Sequence, residues 1–259
     1  MLQADRIQEL IRCIWDARVY RPGGIVSGKD LLDDLLTEPK KGFSTPYPKL
    51  NDTIQGIRKG ELYLFSAGSG MGKSTLVNLI PRFYDVTEGF ITLDGKDVRT
   101  LTQHDLREEL GYVPQKGVLF SGTIASNILY GNPDGSEAEM KEAAEIAQAT
   151  EFIEEKHKKY ESPIAQGGSN VSGGQKQRLS IARAIAKKPK VYIFDDSFSA
   201  LDYKTDVTLR AALKEKTQDS TVIIVAQRIS TILHAEQIIV LDDAKIARIG
   251  THKELLKSC

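Results

Sequence analysis

The stretch ELYLFSAGSGMGKST, Glu61 to Thr75, passes from an apolar run through a turn of small residues into helix-forming ones. Glu61 to Ser66 read as a buried strand, and a new helix is expected from Gly72. Between them Ala67-Gly68-Ser69-Gly70-Met71-Gly72-Lys73-Ser74 matches the P-loop pattern, with Ala at its first position. Residues without bulk let successive backbone N–H groups wrap a phosphate, and the N-terminal end of the following helix adds its positive dipole. Lys73 is expected to reach the β- and γ-phosphates and Ser74 to offer a hydroxyl to Mg2+, with the site extending to Thr75.

Outward from this stretch, strand and helix patterns alternate. VYIFDD (Val191 to Asp196) and TVIIVA (Thr221 to Ala226) are apolar strands, while Lys204 to Lys216 and the stretch after Gln175 are helical. Glu137 to Lys159 reads as one charged, Ala-rich helical stretch. Such alternation predicts an α/β fold: a parallel sheet with helices on both faces. The strand VYIFDD ends in two carboxylates. With a P-loop in the same chain, Asp195 is placed to hold Mg2+ through water and Asp196 to stand next to the attacking water.

From about Lys73 to Cys259 the sequence resembles the nucleotide-binding domain of an ATP-binding-cassette (ABC) exporter. The resemblance lies in the order of its motifs. GYVPQ supplies Gln115 as the Q-loop glutamine, which in that family touches the metal and relays to the membrane domains. VSGGQKQR (Val171 to Arg178) looks like the family signature, whose Ser172, Gly173 and Gly174, with Gln175, would cap the γ-phosphate of ATP held by a partner's P-loop. SALD (Ser199 to Asp202) resembles the D-loop, and VAQRIST (Val225 to Thr231) occupies the switch position. The resemblance implies a P-loop NTPase of RecA-like or ABC type, with a helical signature subdomain over about 116–190, binding ATP and Mg2+.

Two departures concern catalysis. The family usually places Glu after the magnesium Asp, and here Asp196 is one methylene shorter. The usual switch His is replaced by Gln227, a neutral amide that cannot carry a proton or a charge. Both changes predict slow hydrolysis with ATP binding kept, the pattern of the degenerate-site subunit of heterodimeric exporters. A third departure lies at the front. Cassettes begin with antiparallel strands, one bearing an aromatic residue that stacks on adenine. Residues 1–72 instead resemble the hexameric replicative helicases of phage and mitochondria: VSGKDLLDDL, the turn around Leu50, and GIRKGE leading into the P-loop strand. The reading is a hybrid joined near 72/73, of engineered or recombined origin. It binds ATP or another NTP with poor discrimination of the base, Tyr47 being a poor stand-in for the stacking aromatic. It hydrolyses slowly and neither transports nor unwinds. The alternative is the ATP-binding subunit of a heterodimeric exporter, which needs transmembrane domains as partner; a DNA helicase motor stands third.

Composition bears on these readings. Thirty-five Lys+Arg balance 35 Asp+Glu, which argues against a nucleic-acid partner held mainly by phosphate neutralisation. The longest apolar run, Val222 to Ala226, falls far short of the roughly 20 residues that cross a bilayer. MLQADRIQEL has no basic start followed by an apolar core, and Cys13 and Cys259 lie at opposite ends; both predict a soluble chain in the cytoplasm. The apolar face of the amphipathic helix expected over Asp5 to Val19 either folds back on the core or exchanges between protomers, which favours a homodimer; a second short helix is expected over Lys29 to Leu36. Gly89 to Asp94 (GFITLD) is expected as a cassette strand that hangs as an exposed edge, pairs with another chain or is disordered, and Lys187, Lys188 and Lys190 as a solvated loop run.

Overall fold

The computed structural model describes residues 73–226, 235–242 and 245–257, together with the backbone of 62–66. Its main sheet has six strands, and the first of them in the chain, β1 (Leu62–Ser66), lies inside it. After β1 come α1 (Lys73–Asn78), the short strands β2 (Thr92–Leu93) and β3 (Lys96–Asp97), α2 (Gln103–Glu108) and β4 (Leu110–Val113). Then follow β5 (Gly122–Thr123), α3 (Ile124–Ile128), α4 (Glu137–Ile146), α5 (Thr150–Glu154), β6 (Pro163–Ile164) and the long helix α6 (Gly173–Lys187). The chain ends through β7 (Val191–Asp195), α7 (Tyr203–Lys216), β8 (Thr221–Ala226), β9 (Gln237–Asp242), β10 (Lys245–Gly250) and α8 (His252–Lys257). The helices expected before residue 40, Tyr47, the loop from Ala67 to Gly72 and Gln227 lie outside the described residues.

The main sheet has the order β10-β9-β1-β8-β7-β4. Five strands are parallel, and β10 returns antiparallel to β9. Parallel strands covered on both faces must be apolar throughout, and every residue of β7 and β8 is buried. Successive side chains go to opposite faces. Tyr192 and Phe194 pack with Val222, Ile224 and Ile238 in one core; Val191 and Ile193 pack with Ile223, Val225 and Ile239 in the other. The first core runs on through α3 to α6, and the second is closed by α1, α2 and the β2–β3 hairpin. Phe194, wholly buried, contributes on the order of 2 kcal/mol by leaving water.

Register sets where the strands stop. Ser66 pairs with Ala226, Asp195 with Val225, and Val113 with Phe194, so β1, β8, β7 and β4 end within about a residue of one another. Ligand crevices of open parallel sheets form at such carboxyl ends.

Three expectations are corrected. The segment Gly89 to Asp94 pairs on one side within its own chain. Its strand is only Thr92–Leu93, turned back on Lys96–Asp97 through Asp94 (φ 49°) and Gly95 (φ 79°), a pair suited to the tight hairpin turn. Ile91 and Leu93 face the core, both 4% exposed. The helical stretch from Glu137 is broken at Gln148, which takes a left-handed φ of 55°, so α4 and α5 are separate. The lysines 187, 188 and 190 are not idle: Lys187 donates to the Arg107 carbonyl at 2.7 Å, Lys188 pairs with Glu139, and Lys190 with Glu109. Among the described residues, no helix is long and apolar enough to cross a membrane.

Candidate functional site

The level strand ends bring four sequence-predicted residues together. β7 delivers Asp195 and, one residue on, Asp196; they are 5% and 8% exposed. α1 begins at the end of the loop after β1 and presents Ser74, whose Oγ donates to Asp195 Oδ1 at 2.9 Å. Lys73 beside it is buried as well. β4 runs into Pro114-Gln115, and Gln115 Nε2 donates to Asp196 Oδ2 at 3.0 Å. Thr75 is exposed on α1.

The backbone at Asp196 is held in a sparsely populated conformation, φ 48°. Aspartate is one of the few non-glycine residues that tolerate it. Its N–H donates to the Val225 carbonyl at 3.0 Å, and its own carbonyl accepts from Ser199 Oγ at 2.8 Å, so neighbouring elements fix the turn. Such local strain is concentrated at functional sites.

The electrostatics follow from burial. Removal from water pushes the Asp195 carboxyl above its usual 3.8; the hydroxyl of Ser74 pulls it back, Asp196 pushes it up further, and Tyr112 and Lys73 oppose. The Tyr112 phenol is itself pushed up to about 12, by burial first and by the charge of Asp195 second. Sequence reasoning missed Tyr112, although it sits in the GYVPQ run and its hydroxyl donates to Asn78 Oδ1 at 2.8 Å.

These donors suit a small hard cation. The carboxylates and the serine hydroxyl supply oxygen only, and a cation would relieve two like charges confined together. The described residues contain no cluster of three or more His, Cys, Asp or Glu that could hold a metal, so the remaining ligands would be water or phosphate oxygens. Mg2+ is bound in that way, whereas zinc or calcium cages are not.

The signature residues form a separate feature. Ser172 caps α6: its Oγ accepts from the Gln175 N–H, and Gln175 Oε1 accepts from the Ser172 N–H. Ser172 and Gly173 are exposed, and a side chain at Gly174 would come within 3.4 Å of the Ala200 carbonyl in the SALD segment. Their mutual hydrogen bonds close within the first turn of the helix, leaving its exposed N-terminal end facing outward.

A sequence model of the family described as "ABC transporter" matches residues 50–199. An uncharacterised ABC transporter ATP-binding protein of Mycobacterium bovis is 46% identical over 215 residues, 82% of this chain and 37% of its own length. A Staphylococcus aureus protein named as a candidate multidrug export ATP-binding/permease protein is 44% identical over 209 residues, 81% of this chain and 36% of its own. A bacterial Atm1-family ABC exporter solved with ATP bound superposes with a TM-score of 0.75 at 39% identity, covering 78% of this chain and 35% of that one. The chain thus spans little more than a third of the length of the relatives it matches. The matched region runs unbroken through the 72/73 boundary and takes in Leu50 and GIRKGE, which the helicase resemblance had claimed.

Proposed function

The chain belongs to the ABC transporter family, and we propose that it is the ATP-binding part of an exporter whose own site hydrolyses slowly. The observation that carries the proposal is the buried Asp195–Asp196 pair, joined to α1 through Ser74 and to the loop after β4 through Gln115. In this reading the amides of Ala67 to Gly72, with Lys73, bind the triphosphate, and Thr75 continues the site along α1. Ser74, Asp195 and Gln115 hold Mg2+, directly or through water. When bound, the cation neutralises the phosphate charge that builds during transfer. Asp196, supported by Gln115, orients and deprotonates water, and Gln227 steadies the γ-phosphate without accepting a proton.

The signature residues Ser172, Gly173, Gly174 and Gln175 act on a second cassette. The exposure of Ser172 and Gly173 at a helix N-terminus suits the phosphate of a nucleotide bound there. The partner is a second copy or the other half of a heterodimer, and transmembrane domains complete the exporter. We read 116–190 as the helical signature subdomain. We set the helicase hybrid aside: the ABC match crosses its proposed junction, and the helicase segment draws no support from the comparisons.

The test is turnover. Asp196→Glu combined with Gln227→His should raise MgATP hydrolysis by at least about tenfold, the span a well-placed general base supplies. An unchanged rate, with MgATP still bound, would rule out these two residues as the cause of slow turnover.

A further inference from the structure

Gln177 lies in the second turn of α6, within the VSGGQKQR run but beyond its phosphate-facing residues Ser172 to Gln175, and is 2% exposed, an unusual place for a polar residue. Its amide is used on the loop that follows β4. Nε2 donates to the Pro114 carbonyl at 3.0 Å, and Oε1 accepts from the Gly117 N–H at 2.8 Å. Those two backbone groups bracket Gln115, whose own amide reaches Asp196. The loop is seated closely on the helix. A side chain at Gly117 would stand 2.7 Å from Ser180 Oγ and 2.9 Å from the Lys176 carbonyl. On its other side, buried Ser197 donates to the Val113 carbonyl at 2.8 Å, which fixes the end of β4 to the segment after β7.

A neutral amide carries a donor and an acceptor on one planar group, so a single side chain meets both a carbonyl and an N–H. A carboxylate would turn lone pairs toward the Pro114 carbonyl, and an aliphatic chain would leave both groups without a partner. The helix that carries Gln177 is also the one whose first turn is Ser172 to Gln175.

We infer that Gln177 is a positioning residue: it anchors the loop on both sides of Gln115, so that Gln115 presents its amide to Asp196 and follows any displacement of the signature helix. The inference rests on the reading of Gln115 and Asp196 as parts of an ATP-hydrolysing site.

The test compares the full chain with Gln177→Leu, Gln115→Ala and the double variant, reading amide exchange at Gly117 and MgATP turnover. Gln177→Leu should speed exchange at Gly117 by about tenfold and lower kcat by about tenfold, as loss of two buried hydrogen bonds would, with the Kd for MgATP within about twofold. The double variant should be no slower than Gln115→Ala alone, because one residue acts through the other. Gln177→Glu, which keeps the volume and the acceptor for Gly117 but loses the donor to Pro114, should move both readouts in the same direction, and it carries the comparison if the leucine variant does not fold. Unchanged exchange at Gly117, or losses that multiply in the double variant, would overturn the positioning role. If the wild-type chain takes up no MgATP while residue 177 still controls exchange at Gly117, the nucleotide reading fails and only the anchor stands.

Discussion

Asp195 and Asp196 are neighbours in the chain, both nearly buried, and their burial has a consequence for stability. A carboxyl whose pKa is raised on folding holds its proton more tightly in the folded chain than in the unfolded one. Its contribution is therefore fully present at low pH and is lost as pH rises through the raised value. Asp195→Asn removes the charge and keeps an oxygen to accept from Ser74. Without metal, it should unfold at higher urea concentration than wild type at neutral pH, with the difference closing toward pH ~4. Adding Mg2+ should stabilise wild type and not the variant. A variant less stable than wild type at neutral pH would mean that Lys73 already compensates the charge. Of this site, the sequence displayed the residue types: a P-loop lysine and serine, a strand ending in two aspartates, a glutamine after GYVP. It did not display Tyr112 against Asp195 or Gln177 beneath Gln115, because both depend on which side chains the sheet and α6 bring face to face.

Elements were legible where burial is complete. β7 and β8 are apolar apart from Asp195 and Thr221 at their ends because both faces are covered, and the observed Thr221–Ala226 matches the expected strand residue for residue. Helix α6 starts three residues earlier than its apolar pattern suggested, since Ser172 and Gln175 form a reciprocal cap. Ser172→Ala should cost about 1 kcal/mol, read as a lower urea midpoint with the slope unchanged. An unchanged midpoint would show that the first turn frays without loss. The misreadings have physical causes. GFITLD has the composition of a strand, yet the Asp94-Gly95 turn ends it after two paired residues and returns the chain at once. The break between α4 and α5 has no proline or glycine to announce it. Gln148 adopts a positive φ where its carbonyl accepts from Arg178 at 2.7 Å, a tertiary contact that local propensity cannot foresee. The pairing of Lys187, Lys188 and Lys190 likewise depends on α2, α4 and the residues preceding β4 lying nearby.

At the scale of the molecule, the parallel register makes the site. Because β1, β8, β7 and β4 end level, residues more than a hundred positions apart meet, as Ser74 and Asp195 do. Sequence order foretold this crevice, since in a parallel sheet each strand delivers the loop that follows it to the same edge. It did not foretell β10, whose antiparallel return adds an edge strand without adding a residue to the site. On the proposed reading, this crevice binds MgATP through Lys73. The most direct measurement is titration of the full chain with a fluorescent ATP analogue, with and without Mg2+, for wild type and Lys73→Ala. Uptake should be saturable and Mg2+-dependent, and Lys73→Ala should weaken it by at least about tenfold, the loss expected for one charge-assisted contact to phosphate. Uptake that does not saturate, or that is the same in Lys73→Ala, would contradict that reading.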